Sequence, residues 1–415
     1  MKDSSGQKTI RVWVVSELYF PEETSTGYFL TAIAEKLADR FDVHVVCGQP
    51  AYSKRGTRAA PREQRHGVDI RRVVGTTLNK NVALFRVINM VTLGAAVFAS
   101  LLWRLRRGDV VLVVTTPPLI PPLVLTACRL RGARSALIVH DVYPDVLIAA
   151  GWLSPRGILT RMLNAIFSAI YRSADRLSVL GRDMEALVAD KITPSRRRDV
   201  RLIANWWEPE LSPDAEAGHN FAASIGLGDR FIVQHAGNLG PVHGAEALVT
   251  AAERIAAEAP EVHFLFIGGG GRTAWLKEQL GRRALRNFSV LHGLPRREQQ
   301  TFLNAADVAV MSFRPGMYGV GVPSRAYNIM AVGCPIIASM HARSEVATVV
   351  NEEQLGWVVP EDDGDALADA ILAAVRDRAE LERMGRRARR VAERRFTMDA
   401  AIELYRALVY ELGRP

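Results

Sequence analysis

Cysteine is scarce in this chain of 415 residues, which contains only three. Cys47, Cys128 and Cys334 lie far apart, within or beside apolar runs, and their spacing matches no metal site. A buried thiol is ordinary in such runs, so the pattern fits a reducing compartment. The short apolar stretch that follows the polar start, from Ile10 to Val15, cannot form the core of a signal peptide. We therefore expect a cytoplasmic protein.

Two familiar nucleotide-binding patterns are also missing. The glycines do not follow Gly-x-Gly-x-x-Gly in the first βαβ unit, which argues against a nicotinamide cofactor, and no Walker sequence with Gly-Lys-Ser/Thr points to ATP hydrolysis. Acidic residues are outnumbered, with 44 Asp and Glu against 53 Lys and Arg and a formal net charge of +9. That charge would attract nucleic acid, anionic lipid or phosphorylated small molecules without choosing among them.

Short apolar runs rich in β-branched residues alternate with helical patterns along the whole chain, for example Val43 to Cys47, Val110 to Val114 and Phe264 to Ile267. Continuous apolar strands separated by helices predict parallel sheets covered on both faces. The length exceeds what one hydrophobic core usually supports, and a polar stretch with two prolines after Asn205 interrupts the alternation. We predict an α/β protein with two doubly wound, Rossmann-like domains facing a cleft, formed by residues 1–207 and 220–396, and a C-terminal helix over 397–415 that packs back on the first domain.

The segment Val82 to Trp103 is almost wholly apolar and is followed at once by Arg104, Arg106 and Arg107. It is long enough to cross a bilayer, but the α/β pattern on both sides argues against crossing. Two interpretations stay open: a helix lying in the membrane surface with its arginines on lipid headgroups, or a helix buried against the sheet. The arginine-rich stretch from Arg383 to Arg395 is typical of a solvated helix face with ion pairs.

Three loops are candidates for binding an anion. His235 to Gly244 runs from a strand end through a glycine-bearing turn into a helix, and four glycines follow Ile267. Glycines at such turns let backbone amides and helix N-termini come close to a phosphate. In the third loop, Ser324 is well suited to cap a helix whose first turn carries Arg325. An arginine beside the positive end of a helix dipole is unfavourable unless an anion lies there, so Arg325 is the best candidate for a diphosphate ligand.

The order of these motifs resembles family 4 of the GT-B glycosyltransferases, and within it the bacterial surface-polysaccharide and O-antigen enzymes, similar to the colanic-acid and N-acetylfucosamine transferases. The resemblance covers nearly the whole chain. It rests on Ser16-Glu17-Leu18-Tyr19-Phe20-Pro21-Glu22 with Gly27, Val139-His140-Asp141-Val142-Tyr143-Pro144-Asp145, Asn205-Trp206, Gly237-Asn238-Leu239-Gly240 and Pro323-Ser324-Arg325-Ala326-Tyr327-Asn328-Ile329-Met330-Ala331. The last of these is the most specific.

The resemblance implies a retaining transferase that moves a sugar from a nucleotide-diphospho-sugar, with a UDP-sugar the expected donor, to a polyprenyl-linked or other glycan acceptor. The N-terminal domain would bind the acceptor and the C-terminal domain the donor. Two departures from the family pattern concern the donor. Where the family usually carries an Arg and a Lys in its first C-terminal loop, this chain has Asn238 and His243, and where it usually carries two glutamates the chain has Val320 and Asn328.

We predict His140, Asp141 and Arg325 as catalytic residues. The predicted donor-binding residues are Gly27, Asn238, Gly240, His243, Gly269, Gly270, Leu294, Ser324, Asn328 and Glu345. No acidic pair has the pattern of a metal site, so we expect no cofactor and no metal, with Arg325 and helix dipoles stabilising the departing diphosphate. We expect no nucleic acid partner, and a cytoplasmic location at the inner face of the plasma membrane, with peripheral contact through 82–107. A sugar-nucleotide epimerase of the same architecture is the alternative.

Overall fold

The computed structural model describes residues 10–50, 58–78 and 83–414. The polar start before Ile10 and Val82, the first residue of the apolar segment, lie outside the described residues.

Fourteen strands run through the described residues: β1 (Arg11–Ser16), β2 (Asp42–Cys47), β3 (Arg62–Arg65), β4 (Val68–Arg72), β5 (Val110–Val114), β6 (Arg134–Val139), β7 (Arg176–Val179), β8 (Val200–Leu202), β9 (Phe231–Asn238), β10 (Val262–Gly269), β11 (Phe288–Leu291), β12 (Val308–Ser312), β13 (Ile336–Ser339) and β14 (Gly356–Val359). The α-helices in the same part of the chain are α1 (Ser25–Leu37), α2 (Ala83–Arg104), α3 (Ile120–Arg131), α4 (Asp145–Ala149), α5 (Ile158–Ser173), α6 (Arg182–Lys191), α7 (Ala215–Ser224), α8 (Ala245–Glu258), α9 (Thr273–Arg282), α10 (Gln299–Asn304), α11 (Arg325–Ala331), α12 (Glu345–Glu353), α13 (Gly364–Arg376), α14 (Arg378–Arg395) and α15 (Met398–Gly413). Short 3-10 turns cover Pro194–Asp199 and Arg296–Glu298.

The chain divides into two compact units. Unit 1 comprises the described residues of Met1–Pro144, Ile158–Ala204 and Asp399–Pro415. Unit 2 comprises Asp145–Gly157 and Asn205–Met398. Unit 2 therefore takes in α4 and the chain that follows it, although both fall within the predicted span 1–207. The segment after Asn205 packs within unit 2, where the indole of Trp207 donates to the carbonyl of Ala392 at 3.1 Å.

Unit 1 contains an eight-stranded sheet in the order β3-β4-β2-β1-β5-β6-β7-β8. All neighbours are parallel except β3 and β4, which form an antiparallel pair at one edge. Every residue of β5 is buried, as expected for a central strand covered on both faces. The strand order reverses at β1, so β1, β5 and β6 bring their carboxyl ends together where ligands of doubly wound sheets bind.

Unit 2 contains a six-stranded parallel sheet in the order β11-β10-β9-β12-β13-β14. Its core forms where α8 and α13 lie on the strands, around buried side chains such as Ile255, Phe264 and Ile371. Here too the order reverses, between β9 and β12, whose carboxyl ends carry the loops after Asn238 and Ser312. The prediction of two doubly wound parallel sheets is confirmed.

The apolar segment forms α2, which has two different halves. Its second half docks on the core through Leu93, Val97 and Leu101, which are buried at a helical spacing. Its first half leaves Leu84 and Val87 exposed. Among the described residues, Leu84–Arg104 is the one helix long and apolar enough to cross a membrane by length and composition, and only 22% of it is buried. The second half therefore fits the buried interpretation, and membrane contact of the first half stays a prediction.

The arginines of α14 are paired, as the sequence predicted. Arg383 and Arg387 both bond Glu380, and Arg389 bonds Glu393 at 2.7 Å. These pairs form a solvated face, where such contacts contribute little stability individually.

The last helix, α15, packs within unit 1. Six of its side chains are buried: Ala401, Ile402, Tyr405, Leu408, Val409 and Leu412. Around this core, Glu411 bonds the guanidinium groups of Arg176 and Arg201 at 2.7 and 2.9 Å, and Arg406 donates to the carbonyl of Lys36 at 2.9 Å.

Candidate active site

In unit 1, His140 and Asp141 follow β6 directly and lie beside two threonines that follow β5. The hydroxyl of Thr115 accepts the backbone N–H groups of His140 and Asp141 at 3.2 and 3.3 Å, and the hydroxyl of Thr116 donates to the Asp141 carboxylate at 3.1 Å. Because β5 and β6 are parallel neighbours, their carboxyl ends lie side by side, and the two threonines hold the His-Asp pair in place.

The His140 imidazole is a neutral group at pH 7, because burial lowers its pKa to about 4. Its Nδ1 lies 3.4 Å from the hydroxyl of Thr26, in the first turn of α1. Its Nε2 is buried and has no hydrogen-bond partner among the described residues. Burial also raises the pKa of Asp141, and the hydrogen bond from Thr116 opposes that shift. The site therefore offers one neutral imidazole nitrogen and one carboxylate at the carboxyl edge of the sheet.

Gly27 lies buried in the first turn of α1, where its N–H donates to the hydroxyl of Thr24, the N-cap residue, at 3.3 Å. A Cβ at this position would lie 2.7 Å from the carbonyl oxygen of Glu22. The loop after β1 therefore passes so close to α1 that only glycine fits, which is a packing reason for this glycine besides any approach to a ligand.

In unit 2, the loop after β9 forms a tight turn that ends at the N-terminus of α8. The backbone N–H of Gly240 donates to Nδ1 of His243 at 3.1 Å, so the neutral ring carries its proton on Nε2. Burial and the positive charge of Arg272 lower the pKa of His243. His243 therefore presents a neutral N–H donor, and the side chain of Asn238 is exposed at the end of β9.

The glycine loop after β10 packs on this turn. Leu239 N–H donates to the carbonyl of Gly269 at 2.7 Å, and Arg272 N–H donates to the carbonyl of Leu239 at 3.0 Å. Gly270 has a φ of +130°, and a Cβ there would lie 2.5 Å from both Asn238 Oδ1 and Leu239 O. Gly269 is exposed and has no neighbour at its Cβ position, so it leaves room for a ligand.

Arg272 ties the two loops together with its side chain. The guanidinium donates to the carbonyl of His243 at 3.0 Å, pairs with Glu246 at 2.5 Å and stacks on Trp275 with 4.4 Å to the ring centroid. Sequence analysis did not single out this arginine, although its position after the four glycines marked it as a loop residue.

Arg325 begins α11, directly after Ser324. Its guanidinium is half-buried and hydrogen-bonds the side-chain carbonyl of Gln299. Burial, followed by the nearby charge of Arg296, lowers the pKa of Arg325 to about 10, so it remains a cation at pH 7. Its positive charge also contributes to the low pKa of His235. His235 lies in β9, the strand that leads to the loop with Gly240 and His243.

Asn328 is buried one turn further along α11, and both of its amide atoms are in use. Oδ1 accepts the backbone N–H of Glu208 at 3.0 Å, and Nδ2 donates to Glu208 Oε1 and to Gln299 Oε1 at 2.5 and 2.9 Å. The amide thus serves a buried network, which gives this predicted donor-binding residue a structural role.

The remaining predicted residues lie at the same edge of the sheet of unit 2. Leu294 is half-buried in the loop after β11, and Glu345 is buried at the first position of α12. In the part of the chain that the structure describes, no group of three or more His, Cys, Asp and Glu side chains has an arrangement that could hold a metal ion.

Each unit brings its own predicted residues together. His140, Asp141 and Gly27 share the edge where β1, β5 and β6 end, and the loops with Asn238, His243, Gly270 and Arg325 share the carboxyl edge of the second sheet. Sequence analysis missed five polar residues that hold these groups: Thr26, Thr115, Thr116, Glu208 and Gln299. The two threonines after β5 were detectable, because they follow an apolar strand directly.

Two families match consecutive parts of the chain. Residues 26–206 match the Glycosyl transferase 4-like domain, and residues 220–391 match Glycosyl transferases group 1. The probable glycosyltransferase WbjE of Pseudomonas aeruginosa is 34% identical over 87% of this chain and 88% of its own length. The putative colanic acid biosynthesis glycosyl transferase WcaI of Escherichia coli strain K12 is 23% identical over 93% of this chain and 96% of its own.

Solved structures show the same fold. The crystal structure of Anabaena Alr3699/HepE in complex with UDP and glucose superposes with a TM-score of 0.73 at 13% identity, covering 97% of this chain and 100% of that one. The fold of that neighbour and the sequence similarity to WbjE agree with the two family matches. The chain therefore belongs to the GT-B glycosyltransferases of family 4, and it is an enzyme that transfers glycosyl groups.

Proposed function

We propose that the chain is a retaining glycosyltransferase of polysaccharide biosynthesis, which moves a sugar from a UDP-sugar to a lipid-linked or other glycan acceptor. The role in polysaccharide biosynthesis is supported by the name of the relative WcaI, and the UDP donor by the UDP held in the Alr3699/HepE structure. The observation that carries the proposal is Arg325, a cation at pH 7 that makes no ion pair with any described carboxylate.

The chemical task in such a transfer is to stabilise the leaving diphosphate. The bond between the anomeric carbon and the phosphate oxygen breaks, the oxygen of an acceptor hydroxyl bonds the same face of the sugar, and the proton of that hydroxyl leaves with the diphosphate. Negative charge grows on the diphosphate as that bond lengthens, so preorganised donors near it lower the barrier. In unit 2 these donors are the guanidinium of Arg325, the Nε2–H of His243 and the backbone amides at the N-terminus of α8.

His140 and Asp141 would act on the sugar and the acceptor. The unpartnered Nε2 of His140 can hydrogen-bond a sugar hydroxyl without adding a charge, because the ring is neutral. The Asp141 carboxylate, held by Thr116, can accept the hydrogen bond of an acceptor hydroxyl. Replacing Asp141 with Asn should therefore lower kcat.

Nucleotide preference is tested with a thermal-shift panel. A ligand that binds the folded protein alone raises the melting temperature by mass action, so UDP-sugars should raise it more than GDP- or ADP-sugars at equal concentration. A larger shift with a GDP-sugar would contradict the UDP assignment and leave the transferase assignment in place. Turnover that is unchanged after treatment with EDTA would support metal independence, and its loss and recovery on adding Mg²⁺ would contradict it.

Arg325 is tested by substitution. A charge-assisted hydrogen bond contributes on the order of 1.5–3 kcal/mol, so Arg325→Ala should lower kcat/KM by about tenfold or more. Arg282→Ala is the matched control, since Arg282 is an exposed arginine of unit 2 paired with Glu278. Unchanged kinetics in a folded Arg325→Ala variant would remove this residue from the site.

Peripheral membrane contact is supported by one side of unit 1. Right-handed crossovers place α2, α3 and α5 on the same face of the sheet, and α3 contacts both of the other helices. These helices, of 22, 12 and 16 residues, hold six arginines and no acidic residue, although about one residue in nine of the whole chain is acidic. An apolar and exclusively basic layer complements an anionic lipid surface.

Most exposed large apolar side chains of this layer lie in the first half of α2 and the first nine residues of α5: Leu84, Val87, Val91, Ile158, Leu159, Met162 and Ile166. Two more, Trp103 and Leu130, lie near the ends of α2 and α3. Both α2 and α5 precede strands of a parallel sheet, so their N-termini lie at its carboxyl edge, which also carries His140. Lipid contact there would present a membrane-anchored acceptor to the same edge.

A further inference from the structure

Unit 2 contains a buried polar cluster that sequence analysis did not anticipate. It consists of Glu208, Arg296, Gln299, Arg325 and Asn328. Glu208, Gln299 and Asn328 are 7%, 3% and 5% exposed. The cluster joins three segments that are distant in sequence, namely the chain after Trp207, the start of α10 and the first turns of α11.

The hydrogen bonds determine how the amide of Gln299 is oriented. Its Nε2 donates to Glu208 Oε1 at 2.8 Å and to the carbonyl of Arg296 at 3.1 Å, two groups that can only accept. Its Oε1 accepts from the guanidinium of Arg325 and, at 2.9 Å, from Asn328 Nδ2, two groups that can only donate. The reverse orientation would set N–H against N–H on the side of Arg325 and Asn328, and oxygen against oxygen on the side of Glu208 and Arg296, so the carbonyl must face Arg325.

The charges of the cluster do not cancel. Glu208 is paired with Arg296, with 2.8 Å between Oε2 and Nε. Arg325 meets the neutral carbonyl of Gln299 and makes no ion pair with any carboxylate that the structure describes. A partly buried charge without a partner is costly, so the cluster carries a positive charge that a bound anion would compensate.

We propose that Gln299 is a positioning residue for Arg325: its carbonyl holds the guanidinium in place without neutralising it, so that the charge is available to the diphosphate of the donor. The inference rests on the proposed diphosphate contact of Arg325. A glutamate at position 299 would offer the same acceptor geometry but would add a negative charge next to Arg325. The neutrality of Gln299 therefore matters as much as its hydrogen bond.

The test compares UDP with uridine, because the two ligands differ only in the diphosphate. Binding of both is measured by calorimetry for the wild type, Gln299→Glu, Gln299→Met and Gln300→Glu. Gln300 is the matched control, since it is the next residue of α10 and its amide bonds Ser212 at 3.0 and 3.1 Å, away from Arg325.

Gln299→Glu should lower the affinity for UDP by about tenfold or more while the affinity for uridine stays unchanged. Gln299→Met leaves the charge of Arg325 in place but removes the hydrogen bond from Arg325 to residue 299. The affinity for UDP should therefore fall several-fold. Gln300→Glu should bind both ligands like the wild type. A general loss of structure would weaken the binding of uridine as well. The affinity for uridine therefore separates a loss of positioning from a loss of folding.

An unchanged ratio of UDP to uridine affinity in folded Gln299→Glu would overturn the inference. If that variant does not fold, an unchanged ratio in Gln299→Met overturns it instead. Arg325→Ala, measured alongside, separates the two proposals. If this variant also leaves the ratio of UDP to uridine affinity unchanged, the proposed diphosphate contact of Arg325 fails. If Arg325→Ala is the only variant that lowers the ratio, only the positioning role of Gln299 fails.

Discussion

His243 shows how one residue type can stand in for another in a binding loop. The resemblance places it where related enzymes usually carry a lysine, yet its ring accepts the N–H of Gly240, and burial lowers its pKa. It can therefore donate one hydrogen bond from Nε2 but adds no charge at pH 7. In the function that we propose, the positive charge for the diphosphate therefore comes from Arg325, in the connection between β12 and α11.

Buried histidines should make the protein sensitive to mild acid. Burial lowers the pKa of His235 to about 3, whereas an unfolded histidine titrates near 6.5. Between these values the unfolded chain binds more protons than the folded one, so stability falls as the pH falls below about 6.5. His235 should contribute a loss on the order of 2 kcal/mol between pH 6.5 and pH 5. Urea unfolding at several pH values measures the slope.

His235→Asn should reduce that slope, because asparagine does not titrate and its amide can still donate to the carbonyl of Val310, which lies 3.1 Å from Nδ1 of His235. His219→Asn, at an exposed position of the same unit, should leave the slope as in the wild type. Equal slopes in all three proteins would refute the assignment of acid sensitivity to His235.

Single residues could be predicted where chemistry and chain position coincide. Arg325 stood out because its charge is unfavourable at a helix N-terminus, and His140 because it lies in a motif that the family resemblance covers. Glu208 and Gln299 carried no such signal, since folding brings Glu208 to Gln299 and Asn328 across 91 and 120 residues, and brings Gln299 to Arg325 across 26 residues.

At the level of single elements, the two halves of α2 are buried to different extents. Leu93, Val97 and Leu101 anchor the second half in the core, and the first half keeps Leu84, Val87 and Val91 exposed. A substitution at Leu101 would test core packing, so membrane contact has to be tested in the first half.

The combined substitution Leu84→Asp, Val87→Asp and Val91→Asp should abolish flotation with anionic vesicles at low salt. Each aspartate replaces apolar area at the lipid contact and adds a charge that an anionic surface repels. Ala99→Asp is the control, since Ala99 is exposed in the second half of the same helix. The wild type and the control should float, and UDP-induced thermal shifts should be equal in all three. A wild type that remains in the soluble fraction would contradict the membrane proposal.

Short polar strands escaped sequence analysis. Arg62–Arg65 forms the antiparallel edge strand β3 from four polar residues, and β7 and β8 contain four and three residues. An edge strand is only partly covered and needs no apolar run, and a very short strand gives no readable alternation. The central strands were predictable because both of their faces are buried.

On the scale of the whole molecule, the chain leaves unit 1 and returns to it. Residues 145–157 belong to unit 2, and α15 belongs to unit 1 although the preceding helices belong to unit 2. The two sheets were predictable from alternating strands and helices, since each sheet is built from consecutive segments. The excursion at 145–157 was not, because it has the local pattern of any helix and loop.

Deleting α15 should unfold unit 1. Its buried side chains include Ile402, Tyr405 and Leu408, and fully burying each such side chain contributes about 1.5–3 kcal/mol. The combined loss approaches the 5–15 kcal/mol that stabilises a typical domain. A chain ending at Met398 should be insoluble, or its fluorescence should show that Trp13, which is buried in unit 1 of the full chain, has become exposed to water.

Glu411→Ala serves as the control for that truncation. It removes only the partly exposed pairs with Arg176 and Arg201, which should cost less than about 1 kcal/mol. A soluble, cooperatively melting chain without α15 would mean that the helix is dispensable for unit 1.

The placement of α15 also has a consequence during protein synthesis. The sheet of unit 1 begins with β1, which emerges from the ribosome before all of unit 2, but the helix α15 of the same unit begins at Met398 and emerges after unit 2. Unit 2 can be complete while unit 1 still lacks this helix and exposes the apolar surface that it covers. Unit 1 is thus the part that a chaperone would have to protect until α15 has been synthesised.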